Sequence, residues 1–247
     1  MQLIDFTIIE NKNIAKDVYR ILLRPASPLL DPTPGQFINL AIDDFYLRRP
    51  ISVCDWDGQA LTLIYKVVGE GTAKLARYQP GERINAICGL GNGYTIMPAA
   101  RPLLLGGGVG VPPLYYLAKE LVKAGQKPIA VLGFNTAEEV FYEAEFAALC
   151  DTVLMTADGS RGQKGFVTHA MPGLEYDALY CCGPEPMLRA VYEQADPLPR
   201  GHAQFSFERR MACGFGACMA CSCRTITGYK RICKEGPVLA KEEILWN

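Results

Sequence analysis

The chain has 247 residues, 49% hydrophobic and 21% charged, enough to bury the core of one large domain or two modest ones. Its 25 basic and 26 acidic side chains leave a net charge of −1, which argues against a nucleic-acid binder and against an acidic solvating tail. The uncharged run from Pro102 to Ala118 holds four Gly and three Pro and suits a loop better than a membrane span. The opening MQLIDFTIIENKN has Asp5 and no basic stretch before an apolar one, so no secretory signal is read and a cytoplasmic protein is expected.

Residues 1–98 read as β structure. QLIDFTIIE, VYRILLR, QFINLAI, ALTLIYKVV and RINAI are short β-branched or aromatic runs, separated by Asp31-Pro32, Pro34-Gly35, Asp57-Gly58 and Pro80-Gly81. Such spacing, with no convincing helix, predicts a small antiparallel barrel. From 99 to 200 the period changes. PLLLGG, PIAVLGF, TVLMTA and DALYCCG read as buried strands, alternating with helices in VPPLYYLAKELVKAG, AEEVFYEAEFAAL and PEPMLRAVYEQA. Strand–helix alternation predicts a doubly wound parallel sheet. Residues 201–247 have few apolar runs and would need a staple to fold as a third, small domain.

The cysteines supply one. Of ten, Cys213, Cys218, Cys221, Cys223 and Cys233 fall within 21 residues. Cys54, Cys88, Cys150, Cys181 and Cys182 sit in apolar runs and read as small buried hydrophobes. Clustered cysteines without a secretory signal point to metal or redox chemistry. Cys213-x4-Cys218-x2-Cys221 with Cys233 downstream is the plant-type [2Fe–2S] spacing. Structural zinc also takes four thiolates, but usually from two separated knuckles and not from one loop. Cys223, two residues from Cys221 in an extended chain, would point away from the cluster.

A second signal is the Gly-rich turn Gly106, Gly107, Gly108, Val109, Gly110, placed between strand and helix where a pyrophosphate can approach the backbone. Cys182-Gly183-Pro184 ends another strand of the same sheet, where a nicotinamide could face it. The loop from Phe134 to Glu139 is acidic, which disfavours the 2′-phosphate of NADPH and favours NADH, although Arg161 and Lys164 could supply a cation from the next loop. A third signal is Arg49-Pro50-Ile51-Ser52 with Gly69-Glu70-Gly71-Thr72. An Arg and a Ser three apart at a strand end could clamp a phosphate, although residue types alone also allow a solvated arginine pair. His169 and His202 read as structural, and no residue of the chain is assigned a catalytic role.

Together these residues resemble the ferredoxin–NADP reductase superfamily. Arg49-Pro50-Ile51-Ser52 matches its flavin-binding R-x-x-S motif, and Pro34-Gly35-Gln36-Phe37 matches a common strand start. The order barrel, nucleotide domain, cysteine loop, with GGGVGVPPL, CGPEPM, ERRMACGFGACMACSC and YKRICKEGPVL, is similar to the electron-transfer subunits of class 1B, NAD-dependent dihydroorotate dehydrogenases. This resemblance covers essentially the whole chain. It implies FAD contacts from Arg49, Pro50, Ile51, Ser52, Lys66, Val67 and Val68, and pyrophosphate contacts from Gly71 and Thr72. It also implies a [2Fe–2S] cluster on Cys213, Cys218, Cys221 and Cys233. The stretch before Cys233 is shorter than in better-known members, which leaves Cys223 as its competitor. The implied function is an oxidoreductase subunit passing electrons between NAD(H), FAD and the cluster. Its partner would be an FMN-containing dihydroorotate dehydrogenase catalytic subunit of pyrimidine biosynthesis, in a heterotetramer of two of each. The rival readings are a subunit of a ferredoxin-linked oxidoreductase or sulfide dehydrogenase, a reductase feeding an oxygenase, and a zinc-stapled nucleotide-binding redox sensor.

Overall fold

A computed structural model describes residues 1–246. Six strands close an antiparallel barrel in the order β1-β2-β5-β4-β3-β6. They are β1 (Gln2–Ala15), β2 (Val18–Pro25), β3 (Phe37–Leu40), β4 (Arg49–Trp56), β5 (Leu61–Lys66) and β6 (Arg83–Leu90). Alternation does the sorting: Ile4, Phe6 and Ile8 of β1 point inward and meet Ile21, Leu23, Leu61 and Leu63. Each such side chain contributes about 1.5–3 kcal/mol of burial. A short helix, α1 (Glu70–Leu75), follows β5. Strand β4 is the barrel member that periodicity does not reveal. It opens Arg-Pro, and its consecutive Val53 and Cys54 are both buried, Val53 in the barrel and Cys54 against the neighbouring sheet layer.

The second unit is a seven-stranded sheet, β10-β9-β8-β7-β11-β12-β15, parallel except at its last strand. Its first members are β7 (Pro102–Gly107), α2 (Val111–Lys123), β8 (Ile129–Phe134), α3 (Glu143–Ala147), β9 (Asp151–Thr156) and β10 (Gln163–Lys164). β11 (Ala178–Cys182), α4 (Glu185–Gln194) and β12 (Ala203–Ser206) follow. All six residues of β7 are buried, as a strand covered on both faces requires. Helix α2 covers one face through Leu114, Leu117 and Leu121, and α4 the other through Leu188 and Val191. The helix expected over 137–149 is broken. A 3-10 turn at Ala137–Glu139 is separated from α3 by the buried residues Val140, Phe141 and Tyr142, which no single helical face could bury together. Tyr142 adopts φ +61° and reaches the barrel beside Arg20 and Cys54.

The sheet continues past residue 200, where the third segment was expected to begin. β12 pairs with β11, and β15 (Val238–Ala240) returns antiparallel to β12. Between them hangs the cysteine loop with a two-stranded hairpin, β13 (Ser222–Thr225) and β14 (Gly228–Arg231). Cys221, Ile232 and Cys233 belong to the same apolar cluster as Leu103 and Leu105 of the sheet, so this segment borrows its core. Barrel and sheet are joined by ion pairs Lys16–Glu138 (2.9 Å), Lys66–Glu139 (3.0 Å) and Asp55–Lys119 (2.6 Å), and by the Tyr94 hydroxyl donating to the Cys181 carbonyl (3.1 Å).

Candidate functional site

The Arg49 guanidinium at the head of β4 lies over the Phe45 ring, 4.7 Å from its centroid, and flat against Gly71 of α1. A Cβ at Gly71 would collide with that guanidinium, so glycine is required for the cation to lie there. The Thr72 hydroxyl donates to the Gly69 carbonyl (3.0 Å) and accepts from the Val68 amide (3.0 Å), and thereby shapes the turn. A cleft of about 400 Å³ runs along Phe45, Leu47, Arg48, Arg49 and Pro50 and is closed by residues 208–211. A second cleft of about 630 Å³, lined by Phe45, Glu70, Lys74 and Tyr78, shares Phe45 with it. A cation cradled on a glycine, in a cleft that shares Phe45 with a second one, fits an extended phosphate-bearing dinucleotide such as FAD. Ile51 and Ser52 continue β4 from Arg49 and are half-buried. The Lys66 side chain is held by Glu139, Val67 is half-buried, and Val68 is exposed.

The four expected ligand cysteines fall into two pairs. Cys213 Sγ accepts from the amides of Ala217 (3.3 Å) and Cys218 (3.5 Å), and its thiol also neighbours that of Cys218. Burial pushes Cys213 up, but the Phe215, Cys218 and Ala217 amides with the Cys218 thiol outweigh it and bring the group to about 6. In the other pair, Cys221 Sγ accepts from the Cys233 amide (3.4 Å); burial and the Cys221 thiol push Cys233 up to about 12. Among the described residues, no three His, Cys, Asp or Glu side chains converge on one ion position. Two thiol pairs backed by amide donors instead suit a centre with two metals, and the facing thiolates would repel until iron neutralised them. Gly214 and Gly216 take φ +76° and +91°, and a Cβ on Gly214 would strike Asn39. Arg231 clasps the loop by donating to the Gly216 carbonyl (2.5 Å), and itself pairs with Glu235, which it holds down at about 2. Cys223 lies on β13 opposite Lys230 and beside Arg209, outside both pairs.

Sequence reasoning missed Asn39. It is 1% exposed on β3, opposite Pro50 in register, and its Nδ2 donates to the Cys213 carbonyl (3.4 Å). Its Oδ1 is buried with no partner. Nothing in the local pattern of a four-residue strand marks it. Arg209 was also missed; it lines the first cleft and pairs with Glu185 of α4 (2.5 Å), and the doublet Arg209-Arg210 beside the cysteine run is the signal that could have found it.

At the carboxyl end of β7, Gly106 and Gly107 lead into a 3-10 turn, Gly108–Gly110, which opens α2. The Cys182 carbonyl packs on Gly110, so this turn and Gly183-Pro184 form one surface. Burial pushes the Cys182 thiol up to about 12, between the hydroxyls of Ser206 and Tyr94. The acidic loop does not present its carboxylates to this surface: Glu138 is paired with Lys16 and Glu139 with Lys66 across the junction. His169 Nδ1 accepts from the Phe166 amide (2.9 Å), and a His202 ring nitrogen lies 3.0 Å from the Asp177 carbonyl.

A flavin-type barrel followed by a nucleotide-type sheet defines a pyridine-nucleotide reductase of the ferredoxin reductase fold, here carrying a cysteine-ligand loop. Residues 104–193 match the oxidoreductase NAD-binding domain, and residues 208–245 match the iron–sulfur cluster binding domain of dihydroorotate dehydrogenase B. The chain is 44% identical to the dihydroorotate dehydrogenase B (NAD(+)) electron transfer subunit of Geobacillus sp. strain WCH70 over 97% of each. It is 43% identical to that of Fusobacterium nucleatum over 99% of each. Among solved structures, one of an NADH-dependent reduced ferredoxin-NADP oxidoreductase superposes with a TM-score of 0.89 at 29% identity, covering 98% of this chain and 90% of the other. Phthalate dioxygenase reductase shares the fold, with a TM-score of 0.73 at 16% identity over 91% and 87% of the two chains. The chain belongs to the family of dihydroorotate dehydrogenase B (NAD(+)) electron transfer subunits.

Proposed function

We propose that this chain carries electrons between NAD(H) and an FMN-containing dihydroorotate dehydrogenase catalytic subunit, using FAD and a [2Fe–2S] cluster that it binds itself. Flavin, when bound, supplies the conversion between two-electron and one-electron transfer that the nucleotide and the cluster require. Arg49, cradled on Gly71, neutralises the flavin phosphates, and β4 from Arg49 to Ser52 lines the ring. The Gly107–Gly110 turn and Gly183 let the nucleotide approach backbone without Cβ obstruction. Cys213, Cys218, Cys221 and Cys233 ligate the irons, with amides of the loop offsetting thiolate charge. The observation that carries the proposal is the Asn39 contact, because it holds the Cys213 loop directly on the flavin strand pair β3–β4. Two copies of each subunit, acting in the cytoplasm, complete the reading; among the described residues no helix is long and apolar enough to cross a membrane.

The first test is an absorption spectrum of anaerobically purified protein, before and after NADH. Flavin bands and a cluster shoulder, both bleached by NADH, are expected; a protein still colourless after reconstitution with FAD, iron and sulfide refutes the proposal. Orotate-dependent NADH oxidation with a co-purifying FMN protein tests the partner. The 0.89 superposition on a ferredoxin-linked oxidoreductase favours a second reading, a subunit of such an enzyme, for which ferredoxin and not orotate would support turnover.

A further inference from the structure

We propose that the Glu143–Arg161 ion pair makes the adenosine end of the nucleotide site reject a 2′-phosphate, and so selects NADH over NADPH. The inference rests on the nucleotide assignment above and names the residues that set its specificity.

Strand order fixes which way a dinucleotide lies. On the β11–β12 side of β7 stand Cys182, Ser206 and the cleft that residues 208–211 share with Arg49. A nicotinamide facing the flavin goes to that side. The adenosine then crosses the carboxyl ends of β8 and β9, one and two strand spacings, or roughly 5–10 Å, from the Gly turn. Register brings these ends level, with Gly107 beside Gly133 and Phe134 beside Thr156.

The charges at this edge are Glu138, Glu139, Glu143, Asp158, Arg161 and Lys164. Glu138 and Glu139 are paired with lysines of the barrel. Asp158 accepts from the Ser160 amide (2.9 Å) and hydroxyl (2.6 Å), and the Ser160 hydroxyl accepts in turn from the Ala137 amide (2.7 Å), which stitches the two loops together. The backbone of Arg161 is fixed from both sides by the Thr156 hydroxyl, at 2.7 and 3.1 Å. Its guanidinium lies 2.5 Å from Glu143 Oε2, an atom buried from solvent that no hydrogen-bond donor satisfies. Lys164 makes no ion pair among the described residues and lays its stem along Gly159. A phosphate arriving here meets the Asp158 carboxylate and an arginine whose charge is already offset by Glu143. Specificity thus comes from an occupied cation as well as from a repelling anion.

The test uses the full chain with its flavin and cluster. Calorimetric titration with ADP-ribose and with 2′-phospho-ADP-ribose gives the ratio of their Kd values, and stopped-flow flavin reduction by NADH and NADPH gives the matching kinetic ratio. Glu143→Gln, which keeps the shape and removes the charge, should shift both ratios toward the phosphorylated ligand by about tenfold, the effect of one charge-assisted contact. Adding Arg161→Ala should abolish that gain. Arg161→Ala alone leaves Glu143 unpaired and should shift the ratios the other way, which keeps the inference testable if Glu143→Gln does not fold. Unchanged ratios with normal ADP-ribose binding overturn the inference alone. Failure of the unaltered protein to bind ADP-ribose overturns the nucleotide assignment and the inference with it.

Discussion

Around the barrel axis, Phe6, Ile8, Ile21, Leu23, Leu61 and Leu63 are buried against one another, a core drawn mainly from the barrel's own strands and closed by Leu75, Tyr78 and Tyr116. The segment carrying the cluster cysteines has no comparable set. Phe207, Cys221, Ile232 and Cys233 are its buried hydrophobic members between β12 and β15, and they pack into the sheet's cluster. Its shape rests on the Arg231 clasp, on amide–sulfur bonds, on glycines in the left-handed region, and on two strands at its ends. One region holds a cofactor on a finished scaffold, while in the other the cofactor helps finish the scaffold.

Replacing a cluster ligand should separate the two most sharply. Cys221→Ser or Cys233→Ser should lose nearly all bound iron and expose residues 207–237 to limited proteolysis while the flavin stays bound; loss of flavin from these variants would show that the regions are not independent. Leu63→Ala attacks the other side. It should cost about 2–5 kcal/mol of global stability, seen as a lowered denaturant midpoint, with a normal cluster spectrum in the folded protein. Gly214→Ala forces an L side chain into φ +76° against Asn39 and should cost about 1–3 kcal/mol, confined to the cluster loop and read as faster bleaching by a chelator.

The smallest effect concerns the junction. Burial raises Glu139, but Lys66 and the Asn135 amides outweigh it, so its folded value lies below the ordinary carboxylate value. A lowered folded value means that the pair stabilises above the unfolded pKa and that this contribution is lost as pH falls through the folded one. Glu139→Gln should therefore flatten the acid limb of a stability–pH curve by less than about 1 kcal/mol; an unchanged limb would remove Glu139 from the junction's energetics.

What the sequence discloses follows the same division. PLLLGG, the Gly turn and the amphipathic α2 are local patterns, and the structure has them where local rules put them. The cysteine spacing is likewise local. Strand β4 was obscured because Cys54 answers to α2 and not to the barrel interior. The broken helix at 140–142 answers to Arg20 and Cys54 of the barrel. β12 and β15 are short runs whose only reason to be strands is each other and β11, partners far away in sequence. Asn39 was invisible for the same reason, since its significance lies in a carbonyl at Cys213.

Ser206 lies opposite Val238, and the Phe207 amide donates to the Pro237 carbonyl at 2.9 Å, so the chain leaves the sheet and rejoins it at neighbouring points. A loop whose two ends are clamped side by side can change length without moving what it hangs from, since each doubling costs only about 0.6 kcal/mol of closure entropy. Residues 207–237 therefore form a cassette. Nature could lengthen, shorten or exchange the hairpin-bearing part of it between reductases, so long as residues 208–211 remain to close the cleft beside Arg49.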